Sequence, residues 1–212
     1  MKSIYSVFLF CALLVFACQA PVEKVKMPET KEPKTEVVDP RLSLPLDEQV
    51  RLKIQDELAS DTRIDSIILD HKFGMSRTQV VRHKNKLVRE KRIYPVHKTK
   101  LTRAFVYDLN LKGGKTRTFF DTYYHQDELY IMECKPVIPK GKDGPTVWNE
   151  VVELYSLKYG EPHYQLPING MEDCKRALWI EGNLKIQVDC TEKETLISYI
   201  DLIREKEKLQ DI

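Results

Sequence analysis

The sequence predicts an α+β fold in which a helix is followed by an antiparallel meander sheet, an order that recurs and defines two related units. Three observations lead there. Residues 104–135 alternate apolar and polar side chains between short turns, as meander strands do. Helix-start signals at Ser76 and Thr146 each precede a strand-rich stretch. Finally, 212 residues with 42% hydrophobic and 31% charged side chains can bury a core, which excludes a wholly disordered chain. Only one long apolar run exists, so a polytopic membrane protein is excluded as well.

That apolar run opens the chain. Residues 1–17 carry Lys2 and then no charge from Ile4 to Ala17, the layout of a secretory signal peptide. Val15-Phe16-Ala17-Cys18 resembles the bacterial lipoprotein signal, in its looser form known from envelope lipoproteins of the Bacteroidota. The resemblance implies a diacylglycerol on Cys18 and cleavage just before it. Cys11, after Phe10, is the weaker alternative, and an ordinary secreted protein is the other. Gln19 is not an Asp retention signal, so the expected location is the outer membrane, facing periplasm or cell surface. Residues 18–45 contain five prolines among Lys, Glu and Thr, which suits an extended tether.

Two α+β units are expected beyond the tether, at 46–138 and 139–212. Residues 46–60 repeat Leu46, Val50, Ile54 and Leu58 on one helical stripe. Residues 64–70 are rich in Ile and read as a strand. Ser76 with Gln79 forms a capping box for a helix over 77–91. Val80, Val81, Leu87 and Val88 are assigned to its apolar face, and Arg82, Lys86 and Arg89 to the opposite one. Lys84 falls inside the apolar arc, so it must snorkel or the arc is interrupted. The meander of 104–135 turns at 112–115 and again at 125–128, and 136–145 links it to the next helix. That helix, 147–159, is capped by Thr146 and stopped by Gly160 and Pro162. A hairpin over 175–181 and 184–190, a strand over 195–202 and a charged helical tail over 204–209 complete the second unit.

Gly74-Met75-Ser76-x-x-Gln79-Val80 is similar to the helix-start motif of small outer-membrane lipoproteins such as the assembly lipoprotein of the β-barrel machinery. A helix closed by Gly160-x-Pro162 looks like that group's second marker, and related tandem units occur in β-lactamase-inhibitor-like folds. The resemblance covers about 12 residues, and no single unit carries both markers. It implies helices with a sheet and a protein-binding or envelope role, and it carries over no functional residue.

With the leader removed and Cys18 lipidated, Cys134, Cys174 and Cys190 remain. A three-residue loop at 181–183 would pair Ile180 with Leu184 and Leu178 with Ile186, which brings Cys174 opposite Cys190; a two-residue loop would pair Ile180 with Lys185 and mix the faces, and is disfavoured. An exported protein can keep such a disulfide. Two separate buried thiols are the alternative.

No zinc spacing, Gly-x-Ser-x-Gly elbow or phosphate loop occurs, so no catalytic residue, metal site or cofactor is assigned. Cys134 or Cys174 with His163 has no local pattern behind it. Phe119, Phe120, Tyr123, Tyr124 and Tyr130 place aromatics on both faces of the meander. The most distinctive stretch is 77–103, where ten Lys or Arg face one acid, Glu90, in a chain of net charge +2. It reads either as a solvated face or as an anion-binding one, with Arg82, Lys86, Arg89 and Arg92 as contact residues. An exported protein would meet an anionic lipid or glycolipid or an acidic envelope protein, and no nucleic acid. The expectation is a non-catalytic, lipid-anchored binding or assembly protein. A small envelope hydrolase with a dispersed site is the alternative, and an inhibitor-like gripping sheet is a third class.

Overall fold

The computed structural model describes residues 39–97, 103–168 and 171–211. The leader, Cys18 and the tether up to residue 38 lie outside the described residues, as do Lys98 and Lys100. The elements run α1 (Leu46–Ala59), α2 (Arg77–Arg89), β1 (Tyr94–His97), β2 (Arg103–Leu111), β3 (Gly114–His125), β4 (Glu128–Pro136), α3 (Gly144–Tyr159), β5 (Tyr164–Ile168), β6 (Met171–Glu181), β7 (Leu184–Cys190), β8 (Thr195–Asp201) and α4 (Leu202–Gln210). All eight strands form one antiparallel sheet in the order β1-β2-β3-β4-β8-β7-β6-β5. The boundary expected at 138/139 therefore separates two halves of one continuous sheet, joined where β4 pairs with β8. The tether's end is folded too: Pro40–Ser43 makes a 3-10 turn capped by Asp39.

One face of the sheet holds the main core. Val147, Trp148, Val151 and Tyr155 of α3 and Leu87 of α2 meet Tyr107, Phe120, Met132, Ile197 and Tyr199 there. Both ends of α3 are tied down by tryptophans. Trp148 Nε1 donates to Val188 O at 2.9 Å and Trp179 Nε1 to Gly160 O at 2.8 Å. The cap of α3 differs from expectation: Asp143, not Thr146, is its N-cap, and its side chain accepts from the Thr146 N–H. The Gly160 and Pro162 stop is as expected, with Gly160 at φ +78°.

The other face is covered over β5–β8 by α1 and α4. Tyr164 donates to Gln49 O of α1, and Lys185 pairs with Glu205 of α4 at 2.9 Å. The expected stripe of α1 is only partly buried, since Val50, Ile54 and Leu58 are half-buried and Leu46 is exposed. A polar contact assists its docking, Glu57 accepting from the Gly182 N–H at 2.7 Å.

Three local expectations need correction. Residues 64–70 form no strand. The chain makes a tight reversal there, with Ser66 bridged to Lys72 and with Leu69 and Asp70 at positive φ. Val81 is 56% exposed, because it lies about 100° from Val80 on the helix and off the arc defined by Val80, Lys84 and Leu87. The β6–β7 hairpin has a two-residue turn, Gly182-Asn183, so Ile180 faces Lys185 and Trp179 faces Ile186. Left-handed φ occurs at Gly182 (+55°) alone in that turn, as a glycine-led II′ geometry requires.

Candidate functional site

Helix α2 presents the basic face. Ser76 accepts from the Gln79 N–H while the Gln79 side chain accepts from the Ser76 N–H, which closes the expected capping box and fixes where the helix begins. From that start, Arg82, Lys86 and Arg89 follow at helical spacing and all three are exposed. Lys86 reaches Glu90 at 3.7 Å, a long contact on the rim. Arg82 and Arg89 have no carboxylate partner among the described residues. Lys86 and Arg89 stand in the last turn, where cations complement the helix dipole; Arg82 stands mid-helix and has no such role.

Other cations of the segment are spent locally. Arg92 bonds to Asp70 at 2.7 Å and lies 3.6 Å from Glu90, so it braces the 68–70 reversal against the end of α2. The paired guanidinium holds the Asp70 carboxyl below its usual range. Arg77 lies 4.4 Å above the Tyr124 ring and 3.4 Å from Asp127. Lys84 does not snorkel to water: its ammonium is held beneath the helix and interrupts the apolar arc. Its ammonium lies 5.1 Å from the Phe120 ring and 5.5 Å from Phe105, and donates to Thr122 Oγ1 at 3.2 Å. Burial lowers its pKa. Of the four proposed contact residues, then, Arg82, Lys86 and Arg89 share an exposed face and Arg92 is a brace.

Behind α2 lies a buried polar layer that the linear pattern did not reveal. His71 is fully buried, its ring 4.7 Å from His83 and edge-on to it. His83 Nε2 donates to Leu69 O at 2.7 Å. Burial, aided by the neighbouring His83, lowers the His71 pKa to about 3, so the ring is neutral; its Nε2 has no hydrogen-bond partner among the described residues. Tyr107 and Thr118 face each other across β2 and β3, and their hydroxyls also lack well-formed hydrogen bonds among the described residues. Tyr155 and Tyr199 hydrogen-bond to each other through their hydroxyls. The only sequence signal for this layer is a tyrosine in the core register of β2; its partners come from distant segments.

The thiols are poorly suited to nucleophilic chemistry. Burial pushes Cys134 up to about 12, which keeps it protonated at neutral pH. Cys174 and Cys190 are buried with Sγ atoms 2.8 Å apart. They meet although the expected register is wrong: the β6–β7 ladder runs from Glu181 and Leu184 to Arg176 and Asp189, and Cys174 lies beyond that last pair. His163 is engaged elsewhere, its Nδ1 accepting from the Ile180 N–H at 2.9 Å. Among the described residues no three His, Cys, Asp or Glu side chains gather as a metal site. Of the aromatic group, Phe120 and Tyr130 are buried, Phe119 and Tyr124 half-buried, and Tyr123 exposed with its hydroxyl on Glu133 at 2.7 Å. No protein-family model matches the chain, and no curated protein or solved structure matches it.

Proposed function

We propose that this chain is a non-catalytic, lipid-anchored protein of the cell envelope, held at the outer membrane through Cys18, whose folded part binds phosphate-bearing lipid or glycolipid headgroups. The observation that carries the reading is the exposed face of Arg82, Lys86 and Arg89, with two guanidiniums free of carboxylate partners among the described residues. Such a face attracts anionic headgroups at about 1 kcal/mol per basic residue near the surface. The leader sequence ending Val15-Phe16-Ala17-Cys18 supports the anchor. Binding is favoured over hydrolysis because the buried Cys134 thiol is held protonated and His163 serves a backbone amide.

The two-unit reading belongs to the same proposal. α2 precedes four antiparallel strands, and α3 precedes four more. The halves meet in mirrored order at β4 and β8, as two copies of one helix-and-sheet unit would. The kinship with small outer-membrane assembly lipoproteins rests on Gly74-Met75-Ser76, where Gly74 takes φ +76° just before the Ser76 cap, and on Gly160-x-Pro162.

Growth of producing cells on a clickable palmitate analogue tests the anchor. The protein should take up label and fractionate with the envelope, and Cys18→Ser should lose the label. A mature chain without label, or label that survives in Cys18→Ser, contradicts it.

A further inference from the structure

We propose that the trough beside α3 binds a single-chain anionic amphiphile, a fatty-acid-like molecule whose tail lies between α3 and β2 and whose head meets Lys158. Two cavities adjoin there and share Leu154. The first, about 210 Å³, is walled by Ile68, Leu109, Leu154, Tyr155 and Tyr199 and reaches Lys158. The second, about 320 Å³, runs on past Leu111 and Leu157 towards Lys112 and Glu153. Residues progress from Leu109 to Leu111 along β2 as they retreat from Lys158 towards Glu150 along α3, so the space is elongated, as a chain requires.

The walls select the tail. Leu154 and Leu157 stand three residues apart on one side of α3, and Leu157 is 84% exposed. An acyl tail along this side covers that leucine and removes apolar surface from water.

The two ends select the head. Lys158 is exposed, lies 4.6 Å above the Tyr159 ring, and has no carboxylate partner among the described residues. Among the described residues, no Asp or Glu lines the first cavity. At the far end the lysines are committed, Lys112 to Glu153 at 3.3 Å and Lys142 to Glu150 at 2.5 Å. An anion is therefore welcome at Lys158 and opposed by carboxylates at the other end. The inner wall adds a donor. Tyr155 and Tyr199 together hold two hydroxyl protons, and their mutual bond uses one. The second can serve a carboxylate. Burial raises both phenol pKa values and keeps those protons in place.

The test titrates the mature chain carrying Cys18→Ser with the fluorescent fatty acid cis-parinarate below its micellar range, with dodecanoate, lysophosphatidylglycerol and dodecyltrimethylammonium as competitors. Saturable one-to-one binding is expected. Lys158→Glu and Leu157→Asp, both at exposed positions, should each weaken it at least tenfold with an unchanged circular dichroism spectrum. The cationic competitor should be at least tenfold poorer than the better anionic one, and whichever anion competes better identifies a free acid or a phospholipid fragment as the source. Absence of saturable binding, equal competition by the cation, or unchanged affinity in both variants overturns the proposal. So does loss of binding in Arg82→Gln/Lys86→Gln/Arg89→Gln, which would put the amphiphile on α2 instead.

Discussion

Lys84 and His71 show how single residues serve the basic helix from below. The helical wheel places Lys84 among apolar neighbours, and the structure supplies aromatic faces and a threonine hydroxyl for its ammonium. That position is legible from spacing because a helix repeats every 3.6 residues. The Ser76–Gln79 box is legible for the same local reason. His71 is not, because its burial depends on strands that arrive tens of residues later. Its consequence is a pH dependence. The folded pKa of about 3 lies below the value near 6.5 of an unfolded histidine, so the unfolded chain takes up the proton first. Stability from this residue is intact above about pH 6.5 and declines as pH falls towards 3, by at most about 1.4 kcal/mol per pH unit. Urea unfolding at pH 7, 5.5 and 4.5 should show that decline, and His71→Leu should flatten it whatever its starting stability. Equal slopes in the two proteins contradict the assignment.

Among elements, the long, strongly patterned ones were readable: α2, α3 and the strands β2, β3, β4, β7 and β8 fall close to their expected spans. The edge strands β1 and β5 were missed, since each is short and contains a proline, Pro95 or Pro167. Proline is tolerated there because an edge strand has one row of amides without a partner strand. The β6–β7 register failed for a different reason. Ala177, Leu178, Trp179 and Ile180 are all buried, because helices cover both faces at β6. A rule that places one apolar face inward cannot choose a register when both faces are inward. Tertiary bonds decide instead: Asn183 accepts from the Ile64 N–H at 2.6 Å and donates to Asp201, and Gly182 donates to Glu57. The two cysteines still meet, and burial with the neighbouring Cys174 raises Cys190 to about 12. A disulfide there, formed on the proposed export by a dithiol oxidase that accepts the two electrons, would close a loop of about 15 residues worth about 3 kcal/mol. Alkylation of the protein purified from producing cells without reductant should label Cys134 alone of these three after denaturation. Labelling of Cys174 and Cys190 in that sample contradicts the bridge.

At the scale of the molecule, a net charge of +2 conceals a concentrated one. Ten Lys or Arg are packed into 77–103, yet Arg77, Arg92 and Lys84 are drawn into contacts with Asp127, with Asp70 and Glu90, and with aromatic rings. Counting charge in sequence therefore overstates the face, while helical spacing identifies its centre at Arg82, Lys86 and Arg89. The sheet's topology was only half legible: the meander in 104–135 follows from alternation, but the pairing of β4 with β8 joins segments about 65 residues apart and leaves no local mark. The central claim, that this face binds anionic headgroups, is most directly tested by sedimentation of the mature Cys18→Ser chain with phosphatidylglycerol-containing vesicles. The wild-type surface should bind at low salt and release steeply as salt rises. Arg82→Gln/Lys86→Gln/Arg89→Gln should bind about 100-fold more weakly at low salt, at about 1 kcal/mol per lost charge. Affinity within about twofold of wild type, or binding indifferent to salt, would contradict the account.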